Sequence, residues 1–310
     1  MKILVTGGLG FQGGHLSEAL LSQGHDVTIL NTYSEVIKPV FEKLRDRTNI
    51  VFGSITDQVI VDKTVRGQDV VFHLAANVNV DQSLKDPRSF IDCNIIGTHL
   101  VLEAVRKYNA RMIHASTCEV YGDGHDIAED ELLTESSTMS PNSPYAASKL
   151  AAERWCISYN KSFDTDVTIV RPFNIFGERQ KSGQFGALIP ILVKKALNKE
   201  PLTVFGDGKA TRDYLYISDL VDAYMLVLDH PELSGLAINF ASGINTSVID
   251  IAEYISKKLD STIEKGPARP GEVSRFPADV SLSTSLGFKP KVNIWEGIDL
   301  YIKWAKENKV

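Results

Sequence analysis

Short apolar runs alternate with amphipathic stretches over the first half of the chain. Lys2–Thr6, Val27–Leu30, Ile50–Phe52, Val70–Leu74 and Met112–Ala115 read as strands. Apolar runs without polar alternation suit strands covered on both faces. Phe11–Gln23 reads as a helix, with Leu16, Ala19, Leu20 and Gln23 near one face. A long helix is expected at about Pro87–Lys107. Ser143-Pro144 opens another, with proline at a favourable first position, and it runs through Tyr145–Tyr159. Val167–Arg171 is the next strand. Strand–helix alternation from the first residue predicts an α/β fold with a doubly wound parallel sheet.

Beyond Gly177 the pattern changes. Glycine and proline become frequent, at Gly183, Gly186, Pro190, Pro201, Gly206 and Gly208. The expected organisation is a Rossmann-type domain over residues 1–177 plus about 215–241. A smaller α/β substrate-binding lobe takes residues 178–214 and 242–310. A last strand of the sheet is expected near Ala237–Phe240. No internal repeat is evident.

Composition narrows the class. With 310 residues the chain can bury a large core without disulfides or metals. A net charge of −6, from 33 basic and 39 acidic residues, argues against broad nucleic-acid binding. The three cysteines are too few for a disulfide scaffold and read as reduced thiols of a cytoplasmic protein. The N-terminal residues reach glycines before a signal-peptide apolar region could form, and no apolar run is long enough to span a bilayer. Among the scattered histidines only His114 has a nearby cysteine, Cys118, with no second ligand pair, so no metal site is expected.

The segment Thr6-Gly7-Gly8-Leu9-Gly10-Phe11-Gln12-Gly13 follows the first strand and opens the first helix. Missing side chains at Gly7, Gly10 and Gly13 would allow a tight turn and close approach of backbone N–H groups to a pyrophosphate. Dinucleotide folds that prefer NAD usually end their second strand on an acid, and here that place holds Asn31. Asparagine can hydrogen-bond a ribose hydroxyl but lacks the charge that repels a 2′-phosphate. No arginine follows in Thr32-Tyr33-Ser34-Glu35 to welcome that phosphate, so NAD is favoured over NADP. Glu35 is an alternative ribose ligand.

Tyr145 and Lys149 lie one helical turn apart on one face. A nearby ammonium would favour the phenolate and lower a pKa that is about 10 in isolation, making the tyrosine usable as a base. The same spacing recurs at Tyr254 and Lys258, which has no matching strand or loop and reads as surface.

These segments, with HLAA (His73–Ala76), STCEVYG (Ser116–Gly122), PYAASK (Pro144–Lys149), RPFNIFG (Arg171–Gly177), GDGKATRDY (Gly206–Tyr214) and RPGEVSRFPAD (Arg269–Asp279), carry a family resemblance. The chain resembles the extended short-chain dehydrogenases/reductases, the NAD-dependent epimerases and dehydratases of nucleotide sugars. The resemblance implies a site between the lobes, at the carboxyl ends of the strands. It implies that Tyr145 takes the proton of a sugar 4-hydroxyl while hydride passes to NAD. Thr117 would bond the same oxygen, and Lys149 would tune Tyr145 and hold the nicotinamide ribose. The implied cofactor residues are Gly7, Gly10, Phe11, Gln12, Gly13, Asn31, Ser54, Ile55, Leu74, Ala75, Ala76 and Asn94, with Tyr145 and Lys149. Many relatives have Asp where this chain has Ser54. The implied substrate residues are Asn174, Leu188, Val204, Arg212 and Arg269, where arginine suits a diphosphate because its planar fork grips phosphate oxygens. A homodimer pairing through Phe90–Lys107 and Tyr145–Lys161 is also implied.

Cys118 and Glu119 differ from what a simple epimerase needs. Once carbon 4 is oxidised, the proton on carbon 5 becomes acidic; a base can remove it while an acid helps the carbon 6 hydroxyl leave. Related 4,6-dehydratases carry Asp-Glu here, whereas this chain has Cys-Glu. A thiol with a pKa near 8.5 is mostly protonated at neutral pH and can be the acid, with Glu119 as base. The segment is most similar to that of the UDP-N-acetylglucosamine 5,6-dehydratases of tunicamycin biosynthesis. The expected activity is a NAD-dependent dehydratase acting on a nucleotide-diphosphate sugar like UDP-N-acetylglucosamine. The alternatives are a UDP-sugar 4-epimerase, a UDP-glucuronate decarboxylase or a non-catalytic NAD sensor.

Overall fold

The apolar runs do form a parallel sheet in the computed structural model, which describes residues 1–122, 131–183, 186–267 and 275–309. Strands follow the chain as β1 (Lys2–Thr6), β2 (Asp26–Asn31), β3 (Asn49–Phe52), β4 (Val70–His73), β5 (Arg111–Ala115) and β6 (Val167–Pro172), then β7 (Asn174–Phe176), β8 (Leu202–Phe205), β9 (Thr211–Tyr216), β10 (Ala237–Phe240), β11 (Asn245–Ser247) and β12 (Ile263–Gly266). Seven of them make one sheet in the order β10-β6-β5-β4-β1-β2-β3. Neighbours from β3 to β6 pair in parallel. At its edge, Ile169 N–H bonds Leu236 O and Phe173 N–H bonds Phe240 O, a register that advances in the same direction on β6 and β10.

The chain divides into two compact units. The first comprises Met1–Val120, Pro141–Arg171 and Val221–Ile238. Ile3, Leu4 and Val5 of β1, and Val71 and Phe72 of β4, are wholly buried, as strands covered on both faces must be. On one face Val101, Leu102 and Val105 pack with Val61, Val65, Met112, Cys156 and Ile169 in a continuous apolar cluster. The chain order reverses between β1 and β4, and the crevice at such a switch point is where open α/β sheets bind ligands.

Two expected helices take shape with differences. Phe11–Ser22 and Pro144–Phe163 are helical, the latter capped by Ser143, whose Oγ accepts from Ala146 N–H at 3.0 Å. The expected helix Pro87–Lys107 is instead a short turn at Pro87–Phe90, a π-helical stretch over Ile91–Gly97 and an α-helix Thr98–Tyr108. Asn94, buried in the wide stretch, bonds the backbone N–H and C=O of Asn77 at 2.7 and 2.9 Å. π-bulges of this kind recur at functional sites.

The second unit comprises Tyr121–Ser140, Pro172–Leu220 and Asn239–Val310. It holds a three-stranded sheet, β11-β9-β7, and a pair, β12-β8. Buried Asp213 on β9 accepts from Ser242 N–H, Ser242 Oγ and Gly243 N–H, each at 2.7 Å, which fixes the turn before β11. Among the described residues no helix is long and apolar enough to cross a membrane, and no cluster of His, Cys, Asp or Glu could hold a metal ion.

Candidate active site

The turn after β1 is closely packed. Gly7 takes φ +73°, a conformation that side chains rarely adopt, and its carbonyl accepts from Gly10 N–H at 3.0 Å. A Cβ on Gly13 would lie 2.2 Å from Gly7 O, and one on Gly7 would lie 3.1 Å from Ala75 Cα. The helix therefore starts hard against the turn, and the turn against the segment after β4. Gly10 caps that helix without a side chain, leaving the positive end of the helix dipole open to a ligand. A close-packed glycine turn ahead of a helix N-terminus that no side chain caps fits the pyrophosphate of a dinucleotide.

Around the cradle, side chains implied as cofactor ligands also hold backbone. Asn31 is buried; its Oδ1 accepts from Leu9 N–H at 3.0 Å, and its Nδ2 donates to Thr32 O at 2.8 Å and Glu35 O at 3.4 Å. Gln12 Oε1 accepts from the Tyr224 hydroxyl at 3.1 Å, and the Phe11 ring lies edge-on to His15. Ser54 Oγ closes a turn with Thr56, while Ile55 is buried against Gly97. Leu74 and Ala75 donate their N–H groups to Thr6 Oγ1 at 3.2 and 3.1 Å, and Ala76 follows them half-buried. Thr6 in turn meets His73 Nδ1 at 2.9 Å, and His73 Nε2 meets Thr98 Oγ1 at 3.0 Å. Burial pulls this imidazole down to about 3, so it bridges β1 and the Thr98 helix as a neutral ring.

The proton-transfer candidates gather where β5 ends and the Pro144–Phe163 helix begins. Thr117 and Cys118 are buried and Glu119 half-buried. Cys118 starts a 3₁₀ turn, Cys118–Tyr121, and Glu119 N–H donates to Thr117 Oγ1 at 3.3 Å. Tyr145, 9% exposed, hydrogen-bonds the Thr117 side chain. Burial pushes its phenol above the ordinary value; the Thr117 bond opposes this, and the nearby Glu119 and Cys118 side chains add to it electrostatically. Lys149 Nζ donates to Ala115 O at 2.6 Å. Burial lowers this ammonium to about 8, against Cys156, Cys93 and Glu153, which favour its charge. The expected lowering of Tyr145 by Lys149 does not appear in the chain alone, where burial is the largest influence and raises the phenol.

Beneath this cluster lies a buried network outside the expected site. Ser116 Oγ donates to Glu153 Oε2 at 2.9 Å, and Arg171 donates to both Glu153 oxygens at 2.9 and 2.6 Å. The sequence carried a signal for it: Glu153 sits four residues after Lys149 on the same helix face, and Arg171 interrupts an apolar strand.

Four of the implied substrate residues, Asn174, Leu188, Val204 and Arg212, lie in the second unit. Asn174 Nδ2 donates to Asp213 O at 3.2 Å, and Arg212 bonds Thr211 O at 2.8 Å while lying over the Phe276 ring. Leu188 opens the helix Leu188–Leu197 half-buried, and Val204 is buried on β8. Arg269 lies outside the described residues. Tyr254 and Lys258, the repeat of the Tyr–Lys spacing, both bond Asp299, at 3.1 and 2.7 Å.

A glycine cradle at the switch point of a parallel sheet, followed by a buried Thr–Tyr–Lys group, defines a dinucleotide-dependent enzyme of the extended short-chain dehydrogenase/reductase class. The chain belongs to the NAD dependent epimerase/dehydratase family, whose model matches residues 3–241. It is 35% identical to the UDP-N-acetyl-alpha-D-glucosaminuronate decarboxylase of Bacillus cytotoxicus, over 99% of this chain and 98% of that protein. The UDP-glucose 4-epimerase of Thermotoga maritima, solved with UDP-glucose, matches with a TM-score of 0.93 and 28% identity, covering 100% of both chains. The dTDP-glucose 4,6-dehydratase DesIV of Streptomyces venezuelae, solved with NAD and TYD bound, matches with a TM-score of 0.91 and 28% identity, over 100% of this chain and 98% of that one.

Proposed function

We propose that this NAD-dependent enzyme is a nucleotide-sugar dehydratase acting on a sugar like UDP-N-acetylglucosamine. The observation that carries the reading is the surroundings of Tyr145. Its hydroxyl hydrogen-bonds the Thr117 side chain, and Cys118 and Glu119 follow Thr117 directly in the turn that leaves β5. An epimerase needs a base at the sugar 4-hydroxyl; two further proton-transfer groups beside it are what an elimination needs.

The Gly7–Gly13 cradle holds the cofactor pyrophosphate, and Asn31, Ser54, Ile55, Leu74, Ala75, Ala76 and Asn94 shape the rest of its site. NAD held there would supply a positively charged hydride acceptor facing sugar carbon 4. Tyr145 takes the 4-hydroxyl proton, with Thr117 holding the same oxygen. Lys149 steadies the phenolate and must be charged to do so. Glu119 removes the proton on carbon 5, and Cys118 gives one to the departing carbon 6 hydroxyl. Asn174, Leu188, Val204, Arg212 and Arg269 are proposed for the nucleotide diphosphate. Ile91, Ile96, Trp155 and Phe163, exposed apolar side chains on the helices expected to pair, support a homodimer.

Mass spectrometry of product nucleotide sugars tests the activity. The panel, incubated with NAD, contains UDP-N-acetylglucosamine, UDP-glucose, dTDP-glucose and UDP-N-acetylglucosaminuronate. Loss of one water supports the proposal. An isomer of unchanged mass makes the chain an epimerase, and loss of carbon dioxide makes it a decarboxylase, the activity named for the Bacillus cytotoxicus relative.

A further inference from the structure

Glu153 and Arg171 have no place in the chemistry above, yet they form a deeply buried ion pair. Glu153 is 0% and Arg171 1% exposed. Arg171 reaches the carboxylate through two donors, Nε at 2.9 Å and a terminal nitrogen at 2.6 Å. Two parallel bonds of this kind fix direction as well as distance. The carboxylate then accepts from Ser116 Oγ at 2.9 Å. Ser116 is also held through its backbone, whose N–H donates to Val170 O at 2.7 Å.

These contacts join three elements that meet at the reaction centre. Ser116 immediately precedes Thr117, Cys118 and Glu119 on the segment leaving β5. Glu153 stands on the Pro144–Phe163 helix, at steps of four residues from Lys149 and Tyr145. Arg171 stands on β6 beside that segment. We infer that Glu153, locked by Arg171, is a positioning residue that sets the Thr117–Glu119 segment against Tyr145 through Ser116. A buried pair of charges is seldom worth more to stability than apolar packing, so it is better explained by the geometry it enforces. Its anion also favours the charged form of Lys149. Catalytic groups must be held to within about 0.5 Å, and a misplacement of about 1 Å can cost 10²-fold in rate.

The inference rests on Tyr145 and Thr117 acting at the sugar 4-hydroxyl, but not on the choice between dehydratase, epimerase and decarboxylase. The test is therefore the step all three share, followed as absorbance of NADH in a single turnover. Ser116→Ala removes only the tie and leaves the ion pair in place, so it should fold. Its rate of NADH formation should fall by about 10-fold to 10²-fold, with affinities for NAD and sugar within about twofold of the parent. Glu153→Gln should add a second effect: the alkaline limb of the rate profile should move to lower pH, which Ser116→Ala should not do. A crystal structure of Ser116→Ala should show Thr117 Oγ1 displaced from the Tyr145 hydroxyl. An unchanged rate with Thr117 unmoved would overturn the inference. If the parent forms no NADH with any sugar, the functional reading fails, and the Ser116→Ala structure still decides the positioning claim.

Discussion

Replacing Lys149 with methionine should disable the enzyme and, at neutral pH, stabilise it. Lys149 is 4% exposed, and burial takes its ammonium from 10.5 to about 8. At about 1.4 kcal/mol for each pH unit, that difference opposes folding by roughly 3 kcal/mol wherever both states hold the proton. Methionine has nearly the same length and no charge, so this opposition disappears. The change also takes the donor from Ala115 O, now 2.6 Å from Nζ, which costs about 1–2 kcal/mol. The variant should be about 1–2 kcal/mol more stable at neutral pH. The sign then changes with pH. Between about 8 and 10.5 the unfolded chain keeps a proton that the folded chain has lost, so parent stability rises with pH across that window. The advantage of the variant should shrink and vanish there. Urea unfolding of both proteins at about pH 7 and about pH 9.5 measures this. A variant less stable than the parent at pH 7, or an advantage equal at both pH values, would refute the reasoning. Activity should fall by about 10²–10⁴-fold in the same variant.

Other changes follow from the same geometry. Gly13→Ala would drive a methyl group to 2.2 Å from Gly7 O and 2.8 Å from Gly8 Cα, both backbone atoms. If the resulting strain of about 1–3 kcal/mol falls on the cradle, calorimetric titration should show NAD affinity about 10-fold to 100-fold weaker; unchanged affinity would take the loop out of the cofactor site. Asn31→Asp restores the acid common in NAD folds, but it would set a carboxylate against the Thr32 and Glu35 carbonyls that now accept its amide. Thermal unfolding should show a loss of about 1–2 kcal/mol, and a more stable variant would show that those two bonds are dispensable. Tyr254→Phe and Lys258→Met should leave turnover unchanged and shift stability by no more than about 0.5 kcal/mol, since the pair meets Asp299 at a half-exposed surface. Tyr145→Phe, by contrast, should abolish NADH formation.

What could be read from the sequence followed local rules. β1, the glycine turn and the capped Pro144–Phe163 helix were legible because apolar runs, missing side chains and a Ser-Pro start act over a few residues. The π-helical stretch was not, because its Asn94 bonds a backbone segment 17 residues away. Both Tyr–Lys pairs have the same spacing, and only their surroundings separate them: Tyr145 and Lys149 are buried against the end of β5, whereas Lys258 is half-exposed on Asp299. Nor could spacing reveal that Tyr145 is pushed up rather than down, since burial is a property of the folded chain. Glu153 and Arg171 could have been flagged as charges on apolar faces, but their shared partner Ser116 emerges only when helix, β5 and β6 are brought together.

The claim that Glu119 turns an oxidation into an elimination is tested most directly by one comparison. Parent and Glu119→Gln proteins, loaded with NAD, would be given the sugar that the parent converts, with NADH absorbance and product mass followed together. The account predicts that Glu119→Gln still forms NADH but loses water about 10²–10⁴-fold more slowly than the parent. Loss of water at the parent rate would contradict it and leave Glu119 a structural residue of the segment after β5.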